Sequence, residues 1–323
     1  MKPIFLQHGL LDSSDTWIIN DEDKAPAFML ANAGYDIWLG NSRGNKHSRR
    51  HVKYNPDKNA AFWEFTFQDM ADYDLPTVFT YVNQITKQKV HYIGHSQGTM
   101  MMHIALSKRN PVVEQYLDKY FAFGPVAYVS YQKSHIMTLL DKSKLLEWYN
   151  IRHIHEFMPS FNWFQTDVGV AFCAEFGKVC ADILAEVMDA DPSVDNYDRY
   201  DVLVGHDPSG TSVMNMAHWK QILDKKKFQA YDYGSSKANS EHYGQPYPPV
   251  WNLNQIRVPM RLFAGSSDLL ADLTDVNFLW DSLDPSVKKF LRVYNAGHCT
   301  FMWGNDVKPW MSDVFNMLVE EEE

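Results

Sequence analysis

Cysteine is scarce in this chain, with three residues, Cys173, Cys180 and Cys299, among 323. A disulfide-dense scaffold is thereby excluded, and three thiols cannot all pair. Cys173 and Cys180 enclose a short loop that one bridge would close; the alternative is three reduced thiols. No apolar run approaches the roughly 20 residues that span a bilayer, so no transmembrane helix is expected. The first residues, Met1-Lys2-Pro3-Ile4-Phe5-Leu6, lack the long apolar stretch and small-residue cleavage site of a signal peptide. No Asn-x-Ser/Thr sequon occurs, so glycosylation gives no sign of the secretory route. Positive charge is also short: 30 Lys and Arg against 40 Asp and Glu leave a formal net charge of −10. That field works against nucleic acid as a partner.

What is present is a globular composition, 45% hydrophobic and 22% charged. The length suits one large α/β domain carrying an insertion. Short apolar runs at 4–8, 35–39, 90–93, 120–123, 260–263 and 290–294 predict strands. Helical patterns lie between them at about 25–33, ending on Gly34, at 69–87 with Pro76 in the first turns, at 97–108 and at 310–320. Strands alternating with helices predict an α/β fold with a mostly parallel sheet and helices on both faces. Between 127 and 252 the strand-like runs disappear, and helices with wide apolar faces are expected over 149–163 and 172–188. This stretch reads as a helical insertion dividing the sheet domain into 1–126 and 253–323.

The sharpest local signal is Gly94-His95-Ser96-Gln97-Gly98, a G-x-S-x-G sequence between an apolar strand and a helix. A serine on a tight strand-to-helix turn has a strained backbone and sits at a helix N-terminus, where developing negative charge is favoured. Its hydroxyl needs a base, and the base needs an orienting carboxylate. In the chain order of this fold both follow the serine, each in a loop after a strand. Asp268 follows the run ending at Phe263, and His298 follows the run ending at Tyr294. Ser96 is therefore assigned as nucleophile, Asp268 as the orienting acid and His298 as general base and acid. Asp272 and Asp275 are the competing acids, placed in the next helical turn with capping or surface roles. The oxyanion needs two N–H donors. That of Gln97, directly after the nucleophile, is one; that of Leu10, in His8-Gly9-Leu10-Leu11 after the first strand, is the other.

The segments Leu6-Gln-His-Gly-Leu-Leu11, Ala33-Gly-Tyr-Asp-Ile-Trp-Leu-Gly-Asn-Ser-Arg-Gly44, Tyr73-Asp-Leu-Pro76, Gly94-His-Ser-Gln-Gly-Thr99 and Asp268-Leu-Leu-Ala-Asp272 together resemble the acid lipases, the gastric and lysosomal type within the α/β hydrolases. Pro208 to Val213, His218-Trp219 and Lys227 to Gly234 extend the resemblance into the insertion. It implies the same triad of Ser96, Asp268 and His298, the same donors Leu10 and Gln97, and no metal or organic cofactor. It implies a helical cap and lid over a site for neutral lipid at a lipid–water interface, with Met158, Phe161, Trp163, Phe164, Phe172 and Phe176 as residues that either line a channel or simply pack. A lid disulfide is implied for Cys173 and Cys180. A lysosomal or extracellular setting is implied too, although no signal peptide is read here.

Two departures stand out. The family's His-Leu-Asp-Phe around the base is His298-Cys299-Thr300-Phe301 here, which removes a local acidic neighbour. The family's leader and first strands have no counterpart before Pro3, so strand 35–39 is expected at an exposed sheet edge. The expected activity is hydrolysis of fatty-acyl esters of neutral lipids, triacylglycerol or cholesteryl ester, through an acyl-enzyme. The rivals are a short-chain carboxylesterase or thioesterase, and an inactive lipid-binding protein.

Overall fold

A computed structural model describes residues 1–142, 144–159 and 189–320. Their strands are β1 (Pro3–Gln7), β2 (Asp36–Leu39), β3 (Val90–His95), β4 (Leu117–Phe123), β5 (Glu156–Phe157), β6 (Thr211–Ser212), β7 (Met260–Gly265) and β8 (Lys288–Tyr294). Six of them form one parallel sheet in the order β2-β1-β3-β4-β7-β8. Successive side chains point to opposite faces of a strand. Ile4, Leu6, Ile93, Phe121, Phe123 and Phe263 enter one core, closed by Trp310, Met311 and Val314 of helix Lys308–Val319. Phe5, Tyr92, Tyr120, Ala122 and Leu262 enter the other, against Phe79 and Val82 of helix Leu75–Thr86 and the methionines of helix Gln97–Ser107. Burial on both faces is why these strands read as continuous apolar runs.

β2 lies at the edge of the sheet and pairs only with β1, its four residues half-buried. Trp38 there packs edge-on against Tyr81 at 6.0 Å and donates its indole N–H to Asp36 at 2.9 Å. β4 starts three residues before the apolar run, because Lys119 is buried within it and donates to the carbonyl oxygen of Met317 at 2.7 Å. The helix expected over 69–87 opens with a π-turn, Met70–Asp74, ahead of Leu75–Thr86. Pro76, which has no N–H to donate, falls at the junction.

Between β4 and β7 the helices include His135–Lys142, Leu145–Ile151, Tyr200–His206, Val213–Lys225 and Ser236–Tyr243. The helix expected over 149–163 is corrected: it ends at Ile151, His153 takes a φ of 54°, and the chain then pairs as β5 antiparallel to β6. The cause is tertiary, since Glu156 pairs with Arg49 and Phe157 packs on Tyr149 at 5.1 Å. The helix expected over 172–188 lies outside the described residues, as do Cys173 and Cys180. Cys299 is a buried free thiol.

Candidate active site

Ser96 joins β3 to helix Gln97–Ser107 with φ 52° and ψ −118°, a conformation that L-residues adopt only under constraint. The constraint is visible. Its N–H donates to the carbonyl oxygen of Phe123 at 3.0 Å, and its own carbonyl accepts from the hydroxyl of Thr99 at 2.7 Å. A side chain at Gly98 would place its Cβ 2.6 Å from the carbonyl oxygen of Gln7, so only glycine lets the helix start this close to the end of β1. Gly9 lies on the other side, where a Cβ would stand 3.0 Å from that of Ser96.

β7 and β8 end beside this turn and deliver the other two residues. His298 is buried, and its Nδ1–H donates to Asp268 Oδ2 at 2.8 Å. The other carboxylate oxygen of Asp268 accepts the N–H groups of Leu270 at 2.8 Å and Ala271 at 2.7 Å, which fixes its orientation. His95 donates from Nε2 to the carbonyl oxygen of His298 at 2.8 Å, with the two rings 4.8 Å apart. Burial drives the His95 pKa well below the usual histidine value, so the ring is neutral with its proton on Nε2. His298 Nε2 is buried without a hydrogen-bond partner, so its bond to Ser96 is not formed in this structure, although both residues line one cavity. Asp272 caps helix Leu273–Ser282 through the N–H of Thr274 and pairs with Lys133, while Asp275 accepts the N–H of Tyr131. Neither partners His298.

Leu10 and Gln97 flank the same turn, and Gln97 begins a helix whose first N–H groups have no intrahelical acceptor. The Gln97 side chain does something that sequence reasoning missed. Its Oε1 accepts from Asn215 at 2.9 Å and from the indole N–H of Trp219 at 2.7 Å, tying helix Val213–Lys225 to the Ser96 turn. His8, pushed down to about 4 by burial, is a neutral bracket. Its Nδ1–H donates to the carbonyl oxygen of Gly9 at 2.8 Å, and Nε2 accepts the N–H of Ser42 at 3.0 Å.

The cavity measures about 270 Å³. Leu10, Leu11, Met158, Leu203, Val204, Leu270 and Trp303 supply apolar walls, and Asp12, Asp189 and Asp207 three carboxyl groups beyond the triad. Burial, then the charge on Asp207, pushes Asp12 well above the ordinary carboxyl range; burial lifts Asp207 to about 6. Met158 lines this cavity, while Phe161, Trp163, Phe164, Phe172 and Phe176 lie outside the described residues. Among the described residues no group of three or more His, Cys, Asp or Glu is placed to hold a metal ion.

A parallel sheet with a serine turn after β3, an acid after β7 and a histidine after β8 is the arrangement of an α/β hydrolase, and the model of the alpha/beta hydrolase fold matches residues 2–305. The fold also resembles monoglyceride lipase from Saccharomyces cerevisiae (TM-score 0.55, 15% identity, 98% of this chain and 86% of that one). A monoacylglycerol lipase from Paleococcus ferrophilus is similar too (TM-score 0.54, 12% identity, 98% and 93%). In sequence the chain is 40% identical to gastric triacylglycerol lipase of Homo sapiens, over 98% of this chain and 80% of that one. It is 38% identical to the Bos taurus enzyme of the same name, over 98% and 78%. It is 37% identical to lysosomal acid lipase/cholesteryl ester hydrolase of Homo sapiens, over 98% and 79%. The chain belongs to the acid lipase family of the α/β hydrolases.

Proposed function

We propose that this chain is a serine lipase that hydrolyses fatty-acyl esters of neutral lipids, triacylglycerol or cholesteryl ester, through an acyl-enzyme. The observation that carries this is the convergence of Ser96, on its strained turn, and the His298–Asp268 pair on one mainly apolar cavity. Asp268 holds the imidazole with its proton on Nδ1, leaving Nε2 free to act as base. Nε2 takes the Ser96 proton as Oγ bonds to the acyl carbon, and the N–H groups of Leu10 and Gln97 receive the oxyanion. The tetrahedral adduct collapses, the alcohol leaves with the proton from His298, and water repeats the sequence on the acyl-enzyme. Residues 127–252 act as a cap, with Met158 on the acyl path, and the substrate is met at a lipid–water interface.

Ser96→Ala is expected to abolish hydrolysis of a long-chain p-nitrophenyl ester while leaving the circular dichroism spectrum unchanged; retained turnover refutes the assignment. Rates on emulsified triolein, cholesteryl oleate and a soluble butyrate ester separate the lipase from a short-chain esterase.

A further inference from the structure

The loop that carries the general base is held from outside by a residue to which the triad gives no role. Asp189 lies within the insertion, at the start of its second described segment, and it is 5% exposed. Its Oδ1 accepts the backbone N–H of His298, and its carboxyl also takes that of Cys299. The segment is aligned there by further backbone pairing. Asp189 bridges to Asp268, the N–H of Ala190 donates to the carbonyl oxygen of Ser267 at 2.8 Å, and the N–H of Asn196 donates to that of Trp303 at 2.8 Å. The fit leaves no slack, because a Cβ at Gly297 would run into the Asp189 carboxyl group.

We propose that Asp189 is a positioning residue for the general base, fixing the backbone of His298 from the insertion side so that the imidazole keeps its line between Asp268 and Ser96. The proposal rests on the triad assigned above. With Asp189 in place, His298 is held at three points: its N–H by Asp189, its carbonyl by the His95 ring at 2.8 Å, and its Nδ1 by Asp268 at 2.8 Å. The N–H of Gly297 is taken by the hydroxyl of Thr300 at 2.8 Å, so all three successive N–H groups of the loop end on side chains.

A carboxyl group is an expensive choice for this position. Asp195 and Asp268 face it as acids, and Cys299 and Tyr200 stand nearby. Burial first, and then the charges of Asp195 and Asp268, push the Asp189 pKa well above the ordinary carboxyl range. A carboxyl group raised in this way still accepts N–H groups through its oxygens, and Asp268 is the carboxyl group bonded to the ring. An amide would do the same work, which gives the proposal its test.

kcat and KM for a soluble p-nitrophenyl butyrate, with the rate of fluorophosphonate labelling of Ser96, are to be measured for Asp189→Ala, Asp189→Ser and Asp189→Asn. Loss of the acceptor in the Ala variant, and its withdrawal by one bond length in the Ser variant, is expected to lower kcat roughly 10- to 100-fold, the scale of a base displaced by a fraction of an ångström to 1 Å. KM should change far less than kcat, because the apolar walls are unchanged and Asp189 contributes only its carboxyl group to the lining, and labelling should slow in parallel. Asn, which keeps the acceptor oxygen, should restore kcat to within about threefold, on the same physical ground. Should the Ala variant fail to fold, Ser against Asn decides. Wild-type kcat in the Ala or Ser variant, an effect confined to KM, or an Asn variant as slow as Ser overturns the positioning role. Ser96→Ala measured alongside separates the premises: turnover there refutes the triad itself. A dead Ser96→Ala beside an unimpaired Asp189→Ser refutes only the role of Asp189.

Discussion

Asp268 shows how much one carboxylate decides at the scale of the residue. It accepts Nδ1–H of His298 at 2.8 Å and is itself pinned by two backbone N–H groups. Asp268→Asn keeps the shape but presents the wrong hydrogen-bonding partner to the ring, so kcat on a soluble ester should fall by about 10⁴-fold with little change in Tm. The residue was legible because it follows a strand by a few positions, as the fold requires. Asn215 and Trp219 were not legible as partners of the nucleophile turn, because they reach Gln97 across 118 and 122 positions. Gln97→Ala leaves the indole N–H of Trp219 without this acceptor, at about 1–3 kcal/mol, while the Asn215 amide keeps its bond to the hydroxyl of Thr211. Urea unfolding should show that loss. The backbone N–H at position 97 is untouched, so the folded fraction should retain hydrolysis and fluorophosphonate capture.

The scale of the element is where the turn between β3 and its helix has to be built. Both strands that flank the nucleophile are fully buried, and the helix begins within van der Waals contact of β1. Gly98→Ala would drive a methyl group against the backbone oxygens of Gln7 and His8, 2.6 and 2.9 Å away. A backbone oxygen cannot swing aside, so a loss of about 1–3 kcal/mol is expected from overpacking, read from denaturant midpoints, with slower labelling of Ser96. The sheet elements were legible because residues buried on two faces leave runs of Val, Ile, Leu and Phe. The boundary of β4 was not, because Lys119 interrupts the run with a charge whose partners come from the C-terminal helix. The end of helix Leu145–Ile151 was hidden for the same kind of reason: Glu156 and Phe157 are recruited by Arg49, Thr211 and Ser212.

At the scale of the whole molecule, Asp12, Asp189 and Asp207 line the cavity, and buried Asp195 faces Asp189. Asp207 and Asp195 are both lifted to about 6, chiefly by burial, and Asp12 and Asp189 are raised well above the ordinary range. A carboxyl group with a raised folded-state pKa binds more protons folded than unfolded, so its contribution is fully present at low pH. It is lost as pH rises from about 4, the unfolded value, through about 6. Asp15 runs the other way: although burial opposes it, hydrogen bonds from His206, Lys46 and His47 hold its pKa below the ordinary range, so its contribution is present above about pH 4 and lost progressively as pH falls below that. The buried histidines oppose this: burial lowers His8, His91 and His103 to about 4 and His218 to about 3, so their contribution is lost as pH falls from about 6.5. The acid contribution is therefore read against wild type: Asp207→Asn should raise Tm relative to wild type more at pH 7 than at pH 4. A Tm difference between variant and wild type that does not grow from pH 4 to pH 7 would refute this account.

The chain by itself determined the α/β alternation of the main sheet and pointed to Ser96, Asp268 and His298 for acyl transfer, because periodicity and a serine turn are local properties of sequence. Tertiary structure alone decided what surrounds them. The acidic groups near His298 come from the insertion at 189 and 195 rather than from the residues after the base, and the nucleophile turn is braced by a helix more than a hundred positions away. Packing brings such groups together through space, and no spacing along the chain records it.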